Sequence, residues 1–172
     1  MHYNLYVHRR HSIRLKNYNY SNSGIYFITI CTKNRECILS NVINKSIELK
    51  NLGIIANNCL LKIQKIYSNI DIINYVIMPN HIHLLLQNNT TLPTNLISIH
   101  EKSKMLIPKI IQQYKTATIK ISKKHMSSTN SIPLYWQRNY HEHIVRNDKD
   151  LIKISDYIDN NPLNWHNDIL CP

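Results

Sequence analysis

The sequence predicts an α/β fold in which strands and helices alternate along one chain. Two observations predict it: short runs rich in β-branched and aromatic residues, and longer segments in which apolar residues recur with the period of an amphipathic helix. A chain of 172 residues is long enough to bury a substantial core. We therefore expect a single domain over residues 1–172, with a basic amino-terminal arm at 1–23.

Six segments have the composition of strands. They are residues 24–32, 37–43, 47–50, 70–78, 81–87 and 140–146. The first is expected at the centre of the sheet, because it combines β-branched and aromatic side chains over its whole length. The second and third are expected to pair as a hairpin around Asn44-Lys45-Ser46.

Three segments are predicted to be helices. The first begins at Leu52 with Asn51 as its N-cap, and the second has Pro108 in its first turn. The apolar stripe of the second helix, with lysines on the opposite side, comprises Ile107, Ile110, Ile111, Tyr114 and Ile121. The third begins with the Asn147 and Asp150 start signal and ends near Pro162.

The charge balance predicts a polyanionic partner. The 21 Lys and Arg residues exceed the 10 Asp and Glu residues, which gives a formal net charge of +11. The excess lies in the amino-terminal arm and between Lys102 and Lys124, and 11 tyrosines offer stacking surfaces for unpaired bases. The alternative, that the lysines only solvate a helix and the tyrosines fill a core, fits most single tyrosines but not the charge asymmetry.

Other function classes are disfavoured by composition. The four cysteines are scattered without a Cys-x-x-Cys pair, which argues against a disulfide framework or a thiolate zinc site. No run is apolar and long enough for a membrane helix, and residues 1–20 are too polar for a secretory signal. We therefore expect a cytoplasmic chain with no membrane partner.

A His-x-His pair opens the strand at 81–87. Because side chains alternate along a strand, His81 and His83 share one side of it, while Ile82 and Leu84 share the other. Two neutral imidazoles side by side can bind one divalent ion, although the pair does not name the metal. The alternative is two half-exposed strand histidines with no ligand.

The third helix contributes a possible nucleophile. Tyr157 and Asn161 are four residues apart and therefore lie on one helical face. A phenolate that faces a metal site can attack phosphorus in DNA, while the amide oxygen of Asn161 completes the metal shell. The alternative is an ordinary helix tyrosine whose hydroxyl is in water.

Several ordered blocks together resemble the REP-associated tyrosine transposases, relatives of the single-tyrosine HUH insertion-sequence transposases. The blocks are Arg9-Arg10-His11-Ser12-Ile13-Arg14-Leu15, residues 24–32, Met78-Pro79-Asn80-His81-Ile82-His83, Tyr135-Trp136-Gln137-Arg138-Asn139-Tyr140, Glu142-His143, Arg146-Asn147 and Tyr157-Ile158-Asp159-Asn160-Asn161-Pro162. The resemblance covers nearly the whole chain, and blocks in this order are far more specific than the His-x-His pair alone.

The resemblance implies a ferredoxin-like or RNA-recognition-motif-like HUH nuclease fold, an antiparallel sheet flanked by helices. It implies that His81 and His83 bind Mg²⁺ or Mn²⁺, that Tyr157 is the nucleophile and that Asn161 is the third ligand. The implied substrate is single-stranded DNA near an imperfect palindromic hairpin, cut to leave a 5′-phosphotyrosine and a free 3′-hydroxyl. The protein would act as a monomer or a homodimer.

Some positions stay ambiguous. A second His-x-His, His141-Glu142-His143, competes for the metal by spacing alone, and the order of the family blocks favours His81 and His83. Relatives in insertion sequences more often have glutamine at the third-ligand position, and Asn161 is one methylene shorter. The residues expected to hold phosphates are Arg9, Arg10, Arg14, Lys109, Lys115 and Lys120, with Arg138 and Arg146 nearer the active site.

Three functions follow from these patterns. The first is a metal-dependent single-stranded DNA endonuclease and transposase. The second is a module of the same fold that binds DNA or RNA hairpins without turnover. The third is an unrelated zinc protein whose histidines hold the fold together.

Overall fold

A computed structural model of the chain describes residues 18–90, 105–126 and 133–172. The elements are β1 (Gly24–Cys31), β2 (Ser40–Ile43), β3 (Ser46–Leu49), α1 (Asn51–Ile66), β4 (Ile70–Ile77), β5 (His81–Asn88), α2 (Leu106–Met126), β6 (His141–Val145) and α3 (Asp148–Asn160). Short 3-10 segments lie at Lys33–Arg35 and Pro162–Asn167. The basic residues of the predicted arm before position 18 lie outside the described residues.

The main sheet has the strand order β4-β5-β1-β6, and every neighbouring pair is antiparallel. The prediction of an antiparallel α/β fold is confirmed, and β1 occupies the central position expected for residues 24–32. The hairpin of β2 and β3 forms a separate two-stranded sheet. Its turn residues Asn44 and Lys45 have φ angles of 50° and 65°, the left-handed conformation that a two-residue hairpin turn requires.

The two faces of the main sheet carry different layers. Tyr26, Ile28 and Ile30 of β1 point into the large core formed with α1 and α2. On the opposite face Leu85 packs against Ile154 and Ile158 of α3. Because His81 and His83 follow the same alternation as Leu85, they lie on the α3 face, and the sheet separates them from α2.

The boundaries of the first and third helices test two capping predictions. Asn147 accepts a hydrogen bond from the Asp150 N–H at 2.9 Å and caps α3, which ends before Pro162 as expected. The prediction that Asn51 is the N-cap of α1 was wrong by one residue. The extended residue before α1 is Lys50, so Asn51 is already helical and its side chain does not cap the helix.

The apolar stripe predicted for α2 is correct over its first half. Ile107, Ile110, Ile111 and Tyr114 are buried, but Ile121 is 40% exposed, so its place in the stripe was wrong. The buried positions of the second half are Thr118 and Ser122. These two hydroxyls accept hydrogen bonds from Trp136 Nε1 at 2.8 Å and from the Leu134 N–H at 3.1 Å. The second half of α2 is therefore held to the segment at Leu134 and Trp136 by hydrogen bonds as well as by apolar contact.

Within the described residues, no helix is both long and apolar enough to cross a membrane.

One glycine permits the close approach of α1 to the segment before β2. A Cβ atom on Gly53 would lie 2.0 Å from the carbonyl oxygen of Leu39. That oxygen accepts the Lys50 N–H at 2.9 Å, so the backbone cannot move away without breaking a hydrogen bond at the start of the helix. The site tolerates no larger residue.

We expect Gly53→Ala to lower the free energy of unfolding by about 1–3 kcal/mol, because the added methyl overlaps backbone rather than a flexible side chain. Thermal denaturation followed by circular dichroism measures the change. The matched control is Asn58→Ala, an exposed position of the same helix where alanine raises stability by a few tenths of a kcal/mol. A melting temperature that rises in both variants would show that α1 does not approach Leu39 this closely.

Candidate functional site

Two buried imidazoles face each other at the start of β5. His81 is fully buried, His83 is 3% exposed, and their Nε2 atoms are 3.1 Å apart. They lie side by side because β5 is a regular strand in the middle of the sheet, held by β1 and β4 on its two sides. The two histidines thus lie on one face of β5, as the alternation of side chains along the strand predicts.

The outer nitrogen of each ring has its own partner. Asn80 Oδ1 accepts a hydrogen bond from His81 Nδ1 at 2.8 Å, and His83 Nδ1 lies 2.8 Å from Thr29 Oγ1. Thr29 stands directly across from His83 in the β1–β5 pairing. With both Nδ1 atoms as donors, the two Nε2 lone pairs point at each other, which is favourable only when a cation or a proton lies between them.

The protein environment keeps both imidazoles neutral. Burial, with a smaller contribution from the Arg35 guanidinium, lowers the pKa of His81 to about 3. Burial and then the neighbouring His81 lower the pKa of His83 to about 3. At neutral pH both rings are therefore uncharged, and in the tautomer with the proton on Nδ1 each ring offers an Nε2 lone pair to a metal ion.

Tyr157 reaches the histidine pair from α3. The buried Ile154 and Ile158 fix this helix on the sheet, and the Tyr157 hydroxyl lies 3.2 Å from His83 Nε2, within hydrogen-bond distance. The ring also meets Phe27 of β1 edge-on, with centroids 6.1 Å apart. Burial, then the charge of Asp168, raises the pKa of Tyr157, while the side chain of Asn161 opposes the shift. The phenol is therefore protonated at neutral pH.

Asn161 contributes an oxygen that has no partner. The residue is 3% exposed, and its Nδ2 donates to Asp168 Oδ2 at 3.1 Å. Its Oδ1 is buried and accepts no hydrogen bond from any described residue. A buried acceptor without a donor costs about 1–3 kcal/mol. A buried oxygen without a donor, on a residue hydrogen-bonded to Asp168, fits a metal ligand.

Asp168 completes the donor set, although sequence reasoning did not find it. The possible ligand atoms of His81, His83 and Asp168 all lie within 4.8 Å of one another. Asp168 follows the Pro162–Asn167 segment, where no periodic pattern predicts a structure. The available signal was that Asp168 is the only acidic residue after Pro162.

The carboxyl-terminal tail is bound to the site by polar contacts. Asn80 Nδ2 donates to the carbonyl oxygens of Leu170 at 2.7 Å and Arg35 at 3.2 Å, while Arg35 Nη1 donates to Ile169 O at 3.4 Å. The Trp165 ring lies 6.0 Å from the His81 ring. Asn80 thus contacts a histidine through its oxygen and the tail through its nitrogen, which couples the position of His81 to that of Asp168.

The second His-x-His does not join this cluster. His141 and His143 of β6 stand opposite Thr29 and Phe27 of β1, so β1 lies between them and β5. His143 Nε2 is paired with Asp150 Oδ2 at 2.7 Å instead. Two strand spacings, roughly 9–10 Å, separate the histidine pairs, so they cannot share one ion.

The described candidates for phosphate binding occupy several surfaces. Lys109 and Lys120 are exposed on α2, on the far side of the sheet from Tyr157, and Arg138 and Arg146 are exposed in the segments that flank β6. Lys115 Nζ donates to the carbonyl oxygens of Gln137 and Asn139, both at 2.9 Å, so it holds that loop. Arg9, Arg10 and Arg14 lie outside the described residues.

Sequence reasoning did not single out a cationic cluster around the exposed Tyr135. Lys33 Nζ and Lys123 Nζ lie 5.8 Å and 5.6 Å from its ring centroid. The sequence did show the aromatic pair Tyr135-Trp136, but no pattern in it indicated that Lys33 and Lys123 lie next to Tyr135.

The donor set fits a divalent cation. Two imidazole nitrogens, an amide oxygen and a carboxylate oxygen form a mixed nitrogen and oxygen shell. Two nitrogens bound about 2.1 Å from one ion at a right angle would be about 3.0 Å apart, close to the observed 3.1 Å. The Tyr157 hydroxyl lies beside this donor set, 3.2 Å from His83 Nε2.

Comparisons with known proteins indicate the family of the chain. The sequence model described as "Transposase IS200 like" matches residues 20–161. A Haemophilus influenzae protein of uncharacterised function is 37% identical to the chain, covering 98% of it and 96% of that protein. Another protein of that organism, provisionally named a REP-associated tyrosine transposase, is 27% identical over 84% of the chain and 73% of its own length.

A solved structure has the same fold. The structure of a REP-associated tyrosine transposase bound to a REP hairpin superposes with a TM-score of 0.58. The sequences are 18% identical, and the match covers 90% of this chain and 74% of that one.

Asn80→Ala is expected to weaken Mn²⁺ binding by about 10–100-fold, because both His81 and the tail that carries Asp168 lose their common partner. Isothermal titration calorimetry measures the affinity, and circular dichroism checks that the variant is folded. Asn41→Ala, an exposed asparagine on β2, is the matched control and should bind as the parent does. Unchanged affinity in a folded Asn80→Ala protein would contradict the role given to Asn80.

Proposed function

This chain belongs to the family of IS200-like transposases, as its sequence blocks predicted, and from that premise we propose that it nicks and rejoins single-stranded DNA through Tyr157. The observation that supports the proposal most directly is the distance of 3.2 Å between the Tyr157 hydroxyl and His83 Nε2. It means that the nucleophile and the metal ligands can contact the same phosphate. Family membership excludes the unrelated zinc protein.

The proposed substrate is single-stranded DNA beside an imperfect palindromic hairpin. The solved relative with this fold is bound to a REP hairpin, and a sequence relative is named for the same elements. The net charge of +11 supports a nucleic-acid substrate independently of the relatives.

The residues that would hold the ion are His81, His83, Asn161 and Asp168. We propose Mg²⁺ or Mn²⁺, because two of the four donors are oxygens and small divalent ions accept that mixture. When bound, the ion stabilises the negative charge that develops on the phosphate during displacement.

Tyr157 is the proposed nucleophile. Its oxygen forms a bond to phosphorus while the bond from phosphorus to the 3′-oxygen breaks, which leaves a 5′-phosphotyrosine and a free 3′-hydroxyl. We propose that solvent takes the proton of the hydroxyl, because Tyr157 is 45% exposed. The proton gained by the leaving 3′-oxygen balances the one that tyrosine loses.

Rejoining is the reverse of this reaction, with the 3′ end of another DNA strand. A free 3′-hydroxyl attacks the phosphotyrosine, re-forms a phosphodiester and releases Tyr157. Because the covalent intermediate retains one ester bond for each one broken, strand transfer needs no ATP.

The phosphate-binding residues are proposed to act on two surfaces. Arg138 and Arg146, beside β6, are the nearer candidates to the strand that is cut, whereas Lys109 and Lys120 on α2 face away from it. We propose that the α2 lysines hold the backbone of flanking DNA that passes around the sheet, together with Arg9, Arg10 and Arg14 of the amino-terminal arm. Lys115 acts indirectly by holding the loop at Gln137 and Asn139.

The protein is expected to form a covalent adduct with labelled single-stranded hairpin oligonucleotides in Mn²⁺, seen on a denaturing gel. Tyr157→Phe should abolish the adduct because it removes the attacking oxygen, and His81→Ala should abolish it because the ion is lost. Asn41→Ala serves as the folded control.

An adduct that survives in Tyr157→Phe would show that another residue is the nucleophile. Tight binding of hairpins with no adduct, across many flanking sequences, would instead identify a binding module without turnover.

Replacing Lys109 and Lys120 together by glutamine should weaken hairpin binding for all sequences and reduce the slope of log affinity against log salt by about 2, one for each lost phosphate contact. Fluorescence anisotropy over a range of salt concentrations measures the slope. Lys45→Gln, in the hairpin turn of the separate small sheet, is the control. An unchanged slope in the double variant would remove α2 from the DNA interface.

A further inference from the structure

A cavity of about 380 Å³ opens beside Tyr157, between α3 and the Pro162–Asn167 segment. Tyr157, Asn161 and Asp168 contribute part of its lining. The rest of the lining plays no part in the displacement chemistry: the apolar Ile169 and five polar residues, Lys153, Asp156, Asn160, Asn164 and Asn167. The volume is at the lower end of small-molecule sites, roughly 300–1,000 Å³, which suits one nucleotide rather than a duplex.

The cavity follows from the way the chain leaves α3. Lys153, Tyr157 and Asn160 succeed one another at helical spacing on one face, and Pro162 then turns the chain into the 3-10 segment. That turn brings Asn164 and Asn167 opposite the same face, so amides from two elements line one space.

Two of these amides are held in fixed orientations. Asn160 Nδ2 donates to the Asp156 carbonyl at 2.8 Å, and Asn164 Nδ2 donates to the Asn160 carbonyl at 3.0 Å. Each keeps a second N–H and a side-chain oxygen, and neither oxygen accepts a hydrogen bond from another described residue. A fixed amide that still offers both a donor and an acceptor can read the edge of a base.

The charges of the lining discriminate between a base and a phosphate. The carboxylate of Asp156 repels an anion and can accept a hydrogen bond from an exocyclic amino group. Lys153 supplies one cation for the backbone that leads to the cavity. The lining therefore fits a base that carries an amino group better than it fits thymine.

We propose that this cavity binds the base of one nucleotide next to the scissile phosphate, and that Asp156, Asn164 and Asn167 select a base with an exocyclic amino group. Because the cavity shares Tyr157 with the reaction centre, a base held there determines which phosphodiester meets the nucleophile. The inference rests on the proposed function in taking Tyr157 as the attacking residue.

The test is cleavage of a pool of hairpin oligonucleotides randomised at the positions around the cut, with sequencing of the covalently captured products. At one position next to the cut, the parent should disfavour thymine by roughly tenfold. Asn164→Ala and Asp156→Asn should each reduce that ratio to less than about threefold, while selection at the other positions is retained. Asn41→Ala is the matched control and should keep the parent ratio.

A ratio that is the same in the parent, Asn164→Ala and Asp156→Asn would overturn the proposal, as would the absence of a base preference next to the cut. If the parent captures no product at all, the proposed function fails, and the cavity is then tested by binding alone. In that case the parent should bind eight-residue oligodeoxyadenylate or oligodeoxycytidylate more tightly than oligothymidylate, and Asn164→Ala should lose the difference. Equal binding of all three oligonucleotides by the parent would overturn the inference.

Discussion

The site depends on the fixed orientation of two imidazoles inside the sheet. Thr29 and Asn80 hold the outer nitrogens of His83 and His81, so the inner nitrogens point at each other across 3.1 Å. Burial lowers the pKa of both rings, so both are uncharged at neutral pH and their Nε2 atoms are available to a cation between them. The proposal of a divalent metal site therefore rests on this local geometry as well as on the relatives.

The rest of the structure brings the proposed ligands and the proposed nucleophile to that pair from distant parts of the chain. β1 supplies Thr29, α3 supplies Tyr157 and Asn161, and the tail supplies Asp168. Asn80 connects the start of β5 to the tail, and Ile154 and Ile158 fix α3 on the sheet. Because α3 is rigidly packed, the position of the Tyr157 oxygen is determined by the core and not by a mobile loop.

Much of this could be predicted from the sequence, because its signals are local and periodic. Alternation placed His81 and His83 together, and the Asn147 cap and Pro162 bounded the helix that carries Tyr157. Asp168 was missed because it follows a 3-10 segment, which has no strong sequence period. The contact of Arg35 with the tail was missed because Arg35 lies in a tight turn. Its φ there is 57°, an uncommon conformation that composition does not reveal.

The central claim is that His81, His83, Asn161 and Asp168 form one metal site at Tyr157. The most direct measurement is anomalous diffraction from crystals of the protein grown with Mn²⁺. The account predicts one strong peak within bonding distance of both Nε2 atoms, Asn161 Oδ1 and the Asp168 carboxylate. A peak at His141 and His143 would contradict it. So would the absence of a peak between His81 and His83 in a crystal grown at a saturating Mn²⁺ concentration.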